Sequence, residues 1–366
     1  MTRKVAIGLI VGALALALAL WGVPLGALAE ALAQMDKRWL APIGLLFLGQ
    51  QAIRALRQLL IVRAVQPDSR YWGNLAVLCM AFLCINIFPA RLGEVVRPYL
   101  LLRKEKVPLG AGFGVVFVER LVDLTAVLLI LQAVLLGVEI PSRVLDMGGY
   151  TVDVVAMARA LGTGFVLPLL VGVVAVVVAG ERSVTLARRA LAWLTGALPQ
   201  GRMRGAVGRA GEVVVGLAEG FVDGLAVVRD PARLAAILGL TALTWGGTGF
   251  MYVMLSEALG LRDFIGWAEG MGVLVITMLG TTAPSPPGFA GVYEAASRGA
   301  LALFGVTGPA LAPRAVAFAL VMHWWLFIVQ AATAAWFFTA EGMSIGQLFS
   351  LARRGLSEEE TSEVPS

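Results

Sequence analysis

Between Asn86 and Arg97 the chain reads Asn-Ile-Phe-Pro-Ala-Arg-Leu-Gly-Glu-Val-Val-Arg, with Pro89, Arg91, Gly93 and Glu94 inside it. This stretch ends an apolar run, Gly73 to Phe88, that is too short for a full crossing, since a bilayer core takes roughly 20 apolar residues of helix. A second interruption with the same cadence lies about 200 residues further on. There Pro287 and Gly288 are followed by Gly291 and Glu294, after the short run Trp267 to Ala283. Proline, then glycine four residues later, then glutamate marks both places.

The rest of the composition is that of a membrane protein. Of 366 residues 59% are apolar and 14% charged, with a mean hydropathy of +0.84; soluble domains run at about 25% charged. The other apolar runs are Val5 to Pro24, Trp39 to Val62, Gly110 to Val138, Arg159 to Ala179, Arg233 to Ala258 and Ala315 to Ala340, which leave no room for a large soluble catalytic unit. Two cysteines, Cys79 and Cys84, exclude a disulfide framework or a four-ligand zinc site by count.

Twenty-five Arg and four Lys set the orientation through the positive-inside rule. The loop 180–232, with Arg182, Arg188, Arg189, Arg202, Arg204, Arg209 and Arg229, belongs in the cytoplasm, its apolar stretches Val184 to Leu198 and Ala206 to Val228 lying at the interface as helices. The loop 139–158, with Glu139, Asp146 and Asp153 against Arg143, belongs outside. Arg3 and Lys4 at one end and Arg353 and Arg354 at the other put both termini in the cytoplasm. Arg63 and Arg70 on one side of the third run and Arg97 to Lys106 on the other make both of its ends cytoplasmic, which a full span forbids. The conflict disappears if residues 73–103 form a re-entrant hairpin from the cytoplasm and residues 267–304 a second one from outside.

The expected fold is therefore an all-α polytopic membrane protein with six full transmembrane helices and two Pro/Gly-broken re-entrant hairpins, about eight hydropathy segments in all. Its halves, about 1–138 and 159–340, form an inverted repeat of the kind found in secondary transporters. Residues 1–345 make the membrane domain; 346–366, with Glu358, Glu359, Glu360 and Glu363, make an acidic, disordered cytoplasmic tail. The first run competes with a signal peptide ending at Ala27-Leu28-Ala29, but its apolar core of about 19 residues exceeds the 7–15 typical of such peptides, so it is expected to stay as an anchor.

An ionisable side chain at bilayer depth costs about 2.5–3.5 kcal/mol on insertion scales, so each one in these runs needs a partner or a wet cavity. In the fourth run Glu119 and Asp123 share a helix face at i,i+4, whereas Arg120 is turned about 100° away and needs a partner on another element. Arg91, Glu94 and Arg97 form one stripe on a helix starting after Pro89, a residue suited to the first helical turn. With Asn86 ahead of it, that helix start offers free N–H groups and guanidinium forks, a combination suited to phosphate. The same residues equally suit a structural ion-pair network holding hairpin to span. The second break, with Pro287, Gly288 and Glu294, has no arginine until Arg298 and is less basic. Arg54 and Arg57 are candidates to line a cavity or, for Arg57 more easily, to snorkel to the interface. His323, the single histidine, is a packing residue with a hydrogen bond or a proton carrier.

No nucleotide-binding loop, nucleophile elbow or paired zinc histidines occur. The expectations are accordingly no cofactor, no metal, no ATP-driven pumping by this chain alone, no nucleic-acid partner and no enzymatic activity.

The set Asn86, Pro89, Arg91, Gly93, Glu94 and Arg97, then Glu119, Arg120 and Asp123, then the segment from Pro286 to Glu294, in this order, resembles the lysylphosphatidylglycerol synthase transmembrane family, a flippase-like domain. The likeness covers roughly Leu40 to Ala340. It implies an inner-membrane domain that moves an anionic, aminoacylated or polyprenyl-linked lipid between leaflets, without the aminoacyl transferase domain of full-length members. A homo-oligomer, or a partner enzyme that supplies the lipid, is compatible with that role. An intramembrane enzyme acting on a lipid headgroup through Glu94 and Glu119, and a membrane assembly partner that transports nothing, are the alternatives.

Overall fold

Proline and glycine cut the helices close to where the sequence places them. The computed structural model describes residues 2–87, 93–138, 144–146, 151–153, 230–282 and 286–343, together with scattered positions between 164 and 227 and residue 346. Ten helices of ten or more residues are described: α1 (Thr2–Leu20), α2 (Leu25–Gln34), α3 (Leu40–Val62), α4 (Tyr71–Ile87), α5 (Gly93–Glu105), α6 (Leu109–Gly137), α7 (Pro231–Ala258), α8 (Trp267–Gly280), α9 (Val292–Leu303) and α10 (Ala312–Ala340). One departure from an all-helical chain is a small antiparallel pair, β1 (Val144–Asp146) with β2 (Thr151–Asp153), in the loop after α6.

Three helical stretches are long and apolar enough to cross a membrane, Lys37–Val62, Pro231–Ala258 and Ala312–Ala340; a bent pair, Ile10–Leu20 with Leu25–Gln34, qualifies jointly as a fourth. The protein is thus a multi-pass helical membrane protein. Its outer surface is apolar, with Leu14, Leu18, Leu45, Leu243 and Trp336 exposed, while Gln50, Gln51, Arg57, Gln58, Asn74, Arg97, Glu119 and Glu294 are buried. That inversion suits a chain whose surroundings are lipid, where polar groups must find their partners inside the protein.

The first run, Val5 to Pro24, forms α1 and the turn that ends it; α2 follows outside that run, bent by 78° from α1, because Gly22 takes a left-handed conformation at φ 71° and Pro24 has no N–H to continue the ladder. The run from Arg159 to Ala179, apart from one position, and the acidic tail lie outside the described residues. In the basic loop, residues 188–196 are helical, with Trp193 and Leu194 exposed. Arg188 there forks onto Glu219 through its Nε and through an Nη2–Oε2 contact of 2.7 Å. The hydrogen bond from that guanidinium holds the Glu219 carboxyl below its ordinary range.

Two stretches share one order of elements. Long α3, short α4, short α5 and long α6 are matched by long α7, short α8, short α9 and long α10. Within each set the two short helices pack on one another and the second of them packs on the following long helix; α3 packs along α7 and joins the sets. The two buried apolar clusters divide along nearly the same line, one built on α7 to α10 and the other on α3 to α6.

Candidate functional site

The helix that leads into the first break, α4, touches the second break. Asn86, in the last turn of α4, sits beside the turn Pro287–Phe289, where a Cβ on Gly288 would lie 3.8 Å from the Asn86 carbonyl oxygen. Gly288 holds φ 71°, a conformation that costs glycine little and other residues more. Gly291, at φ 82°, then starts α9, and Glu294 caps that helix by accepting the Gly291 N–H at 2.7 Å.

Beside this junction lies a cavity of about 210 Å³ lined by Gln50 and Arg54 from α3, Asn86 from α4, Tyr252 from α7, Tyr293 from α9 and His323 from α10, among others. Phe47, Phe82, Phe327 and Trp245 supply aromatic wall. The volume is below the roughly 300–1,000 Å³ of drug-sized pockets and suits a small headgroup.

Among the described residues Arg54 is the guanidinium that faces this space. Its Cζ lies 5.4 Å from the centre of the Phe82 ring, and among the described residues it makes no hydrogen bond or ion pair. It stands eight residues before the end of α3, about 12 Å along the helix axis. That depth is awkward for simple snorkelling.

The other arginines are engaged differently. Arg57 forks onto Asp123, Nη1 to Oδ1 at 2.6 Å and Nη2 to Oδ2 at 3.0 Å, and donates to the Thr241 hydroxyl at 2.9 Å. Trp245 Nε1 also donates to Asp123, at 3.3 Å. Arg97 and Glu119, 1% and 2% exposed, pair directly, and Arg97 Nε donates to Gln58 Oε1 at 2.9 Å. From there a polar chain runs to the helix ends: Gln58 Nε2 to Asn74 Oδ1 at 2.8 Å, Asn74 Nδ2 to Ser69 at 2.7 Å, and Ser69 to Glu105 Oε2 at 2.7 Å. Arg120 is half-buried, and its Nε is buried with no hydrogen-bond partner among the described residues; the same holds for Arg57 Nε, Arg97 Nη1 and Glu119 Oε1.

The second set repeats the pattern with its polarity reversed. Glu294 on α9, 1% exposed, meets His323 on α10 through a 2.8 Å contact between Oε1 and Nδ1. Tyr293 stacks on the His323 ring at 4.4 Å, and its hydroxyl lies 2.7 Å from that of Tyr252. Both tyrosines and the histidine line the cavity.

Of the residues singled out from sequence, the structure gathers Arg54, Asn86 and His323 around one cavity, pairs Arg57 with Asp123 and Arg97 with Glu119, and sets Glu294 and Gly288 at the second break. Arg91 and the side chain of Glu94 lie outside the described residues. Tyr252, Tyr293, Gln58 and Asn74 were not read as site residues. Asn74 carried a signal, as one of two asparagines in the chain; a polar residue in an apolar helix needs an interior partner. Among the described residues no cluster of three or more His, Cys, Asp or Glu could hold a metal.

Residues 5–332 match the family described as the lysylphosphatidylglycerol synthase TM region. The chain belongs to this family. It is also 28% identical over 333 residues to the Glycosyltransferase AglD of Haloferax volcanii, an overlap of 85% of this chain and 51% of that protein. The chain spans about half the length of this curated relative. No solved structure matches it.

That relative overturns one expectation from sequence, that the chain is not an enzyme. The expectation rested on missing motifs for nucleotide binding, serine nucleophiles and zinc. Glycosyl transfer requires none of them, because an acceptor can be activated by carboxylate acid/base groups alone, so their absence carried less weight than it was given.

Proposed function

We propose that this protein takes the headgroup of an anionic or polyprenyl-linked lipid into the cavity between its two breaks and passes it between the leaflets of the inner membrane, the lipid tails remaining in the bilayer. One observation carries this reading. In the interior Arg57 is paired with Asp123 and Arg97 with Glu119, while Arg54, in the cavity lining, has no carboxylate partner among the described residues, which leaves a positive excess there. Such an excess inside a membrane protein calls for an anion, and a lipid phosphate is the anion that a bilayer supplies in quantity. Asn86, Arg91 and Glu94 belong to the same site in this reading, at the start of the hairpin helix.

The matching order of the two helix sets supports the finer architecture of six spans and two opposed hairpins in an inverted repeat, and the arginines of the loops and ends support cytoplasmic termini. In that arrangement the two breaks form the fixed point about which the halves alternate.

The test is a vesicle assay with fluorescent phosphatidylglycerol. Reconstituted protein should expose inner-leaflet label to an external quencher, and Arg54→Gln should slow this at least about tenfold at equal reconstitution. Normal reconstitution with no lipid movement by the unaltered protein would refute the reading.

The named relative favours a second reading, in which the same cavity presents a lipid phosphate as acceptor for glycosyl transfer. A glycosylated lipid found by mass spectrometry after incubation with a sugar donor would establish it over transport.

A further inference from the structure

The second break brings an acid and a base together in the cavity wall. Gly291 starts α9, so Glu294 falls in its first turn and the Gly291 N–H holds one carboxylate oxygen, Oε2, at 2.7 Å. The other oxygen meets His323 Nδ1 at 2.8 Å. Tyr293 stacks on the imidazole with 23° between the rings, and its hydroxyl is anchored on that of Tyr252 at 2.7 Å. The ring is thus fixed at one edge by a carboxylate and on one face by a phenol, while His323, Tyr293 and Tyr252 all line the cavity.

This geometry sets what one proton does. An ionised carboxylate only accepts hydrogen bonds, so Nδ1 carries a hydrogen toward Oε1. The proton that the pair gains or loses therefore sits on Nε2, the ring nitrogen not engaged by Glu294. With Nε2 bare the pair carries one negative charge, and with Nε2 protonated it carries none. The groups on the elements packed around the ring keep their charge: Arg54 on α3 is a guanidinium, with Arg57 beyond it forked onto Asp123. α4 adds the Asn86 amide and two buried thiols, Cys79 and Cys84, and Glu30 on α2 is bonded to Gln34 at the surface. Arg91 and Glu94, assigned above to the same site, complete the set, and Glu94 is the other group there that can hold a proton.

A phosphate entering beside Arg54 and His323 meets a wall whose charge differs by one according to the proton on Nε2. It binds the protonated pair better, and by linkage the proton binds the occupied cavity better by the same factor. A headgroup with one phosphate charge is neutral together with that proton, so their joint passage does no work against a membrane potential.

We infer that the His323–Glu294 pair is a proton-binding site linked to the phosphate, and that the two cross together, one proton for one phosphate charge. This rests on the cavity being a headgroup site; it adds a second ion and makes a pH gradient a source of energy for lipid movement.

Because His323 is the single histidine, its ring can be read alone by nuclear magnetic resonance. The full chain, made with isotope-labelled histidine and no histidine tag, is placed at neutral pH in nanodiscs of phosphatidylcholine with and without phosphatidylglycerol. Phosphatidylglycerol should raise the ratio of protonated to neutral ring at least about fivefold. Arg54→Gln in the same membranes should lose this response, which separates the cavity from the general acidity of an anionic surface. In vesicles with the potential clamped at zero, a one-unit pH gradient should gather fluorescent phosphatidylglycerol in the leaflet facing the alkaline side, toward a ratio of about ten, the limit for one proton per lipid. Protein-free vesicles give the background, and this second assay decides if Arg54→Gln does not fold. Phosphatidylglycerol that binds or moves while the ring ratio stays constant, or while both leaflets fill equally, would overturn the proton linkage and leave the cavity reading standing. Leaflet asymmetry with an unresponsive ring would refute the assignment to His323 and point to Glu94. A protein that neither binds nor moves phosphatidylglycerol would remove the cavity reading, and the proton linkage with it.

Discussion

The two hairpin regions solve the same problem with opposite charges. In the first, a cation on the second short helix, Arg97 at the fifth position of α5, is neutralised by Glu119 at the eleventh position of α6; in the second, an anion at the third position of α9, Glu294, meets His323 at the twelfth position of α10. Both pairs join a short helix to the long helix that follows it. They differ in what remains when one partner is removed. Arg97 would stay in the interior as a permanent charge, supported by the neutral Gln58 and the Phe82 ring, whereas Glu294 would keep a backbone donor, the Gly291 N–H. The first pair is thus the more rigidly required, and the second is the one that can change without collapse. That places adaptability at the cavity wall, where His323 sits, and rigidity behind it.

This contrast can be broken in four ways. Glu119→Ala should have the largest effect, a loss of about 3–5 kcal/mol from an uncompensated buried guanidinium, seen as a large fall in thermal unfolding temperature of the purified protein; the double change Arg97→Leu with Glu119→Leu should recover much of it. An unaltered midpoint for the single variant would deny the first pair its structural role. Gly291→Ala should cost about 2–3 kcal/mol, since the left-handed backbone disfavours a side chain and the added carbon would collide with the Gly12 carbonyl of α1. His323→Ala should cost about 1–2 kcal/mol, clearly less than Glu119→Ala; the reverse order in the same unfolding assay would sink the comparison. Arg188→Ala, at a solvent-exposed pair outside both hairpins, should leave the midpoint at pH 7 where it was. Because the Glu219 carboxyl is held below its ordinary range, whatever that pair contributes is present above the ordinary carboxylate range and disappears as pH falls through the depressed value.

Much of this organisation was legible in the sequence, for a physical reason. Breaks in apolar runs and charges within them are local features, and the bilayer makes both costly enough to be informative. Hence residues 86–97 and 287–294 pointed to the junction, and Arg54, Arg57, Glu119, Asp123 and His323 to the interior. The choice of partners was not legible. Asp123 takes Arg57, 66 positions away, and Glu119 takes Arg97, because those pairings depend on how α3, α5 and α6 pack; helical spacing says only which groups share a face. The polar chain from Gln58 to Glu105 was missed on similar grounds: Asn74 stands out in its apolar helix, but its partners are set by how the helices pack. The turn between α1 and α2 was legible, since Gly22 and Pro24 close the first apolar run; that residues 25–34 form a helix of their own was not.

The first helix carries a consequence for the order of assembly. Arg298 of α9 reaches back to the end of α1 and donates to the carbonyls of Leu18, Ala19 and Trp21 at 3.1, 2.6 and 3.0 Å, while Gly12 and Gly291 bring the two backbones together. These partners are separated by nearly the whole length of the membrane domain. A ribosome makes α1 well before α9, and a helix whose fastening arrives some 280 residues later has to wait in the bilayer undocked. A helix made before its partner is thus among the last to take its final place, and the second break is completed only when it does.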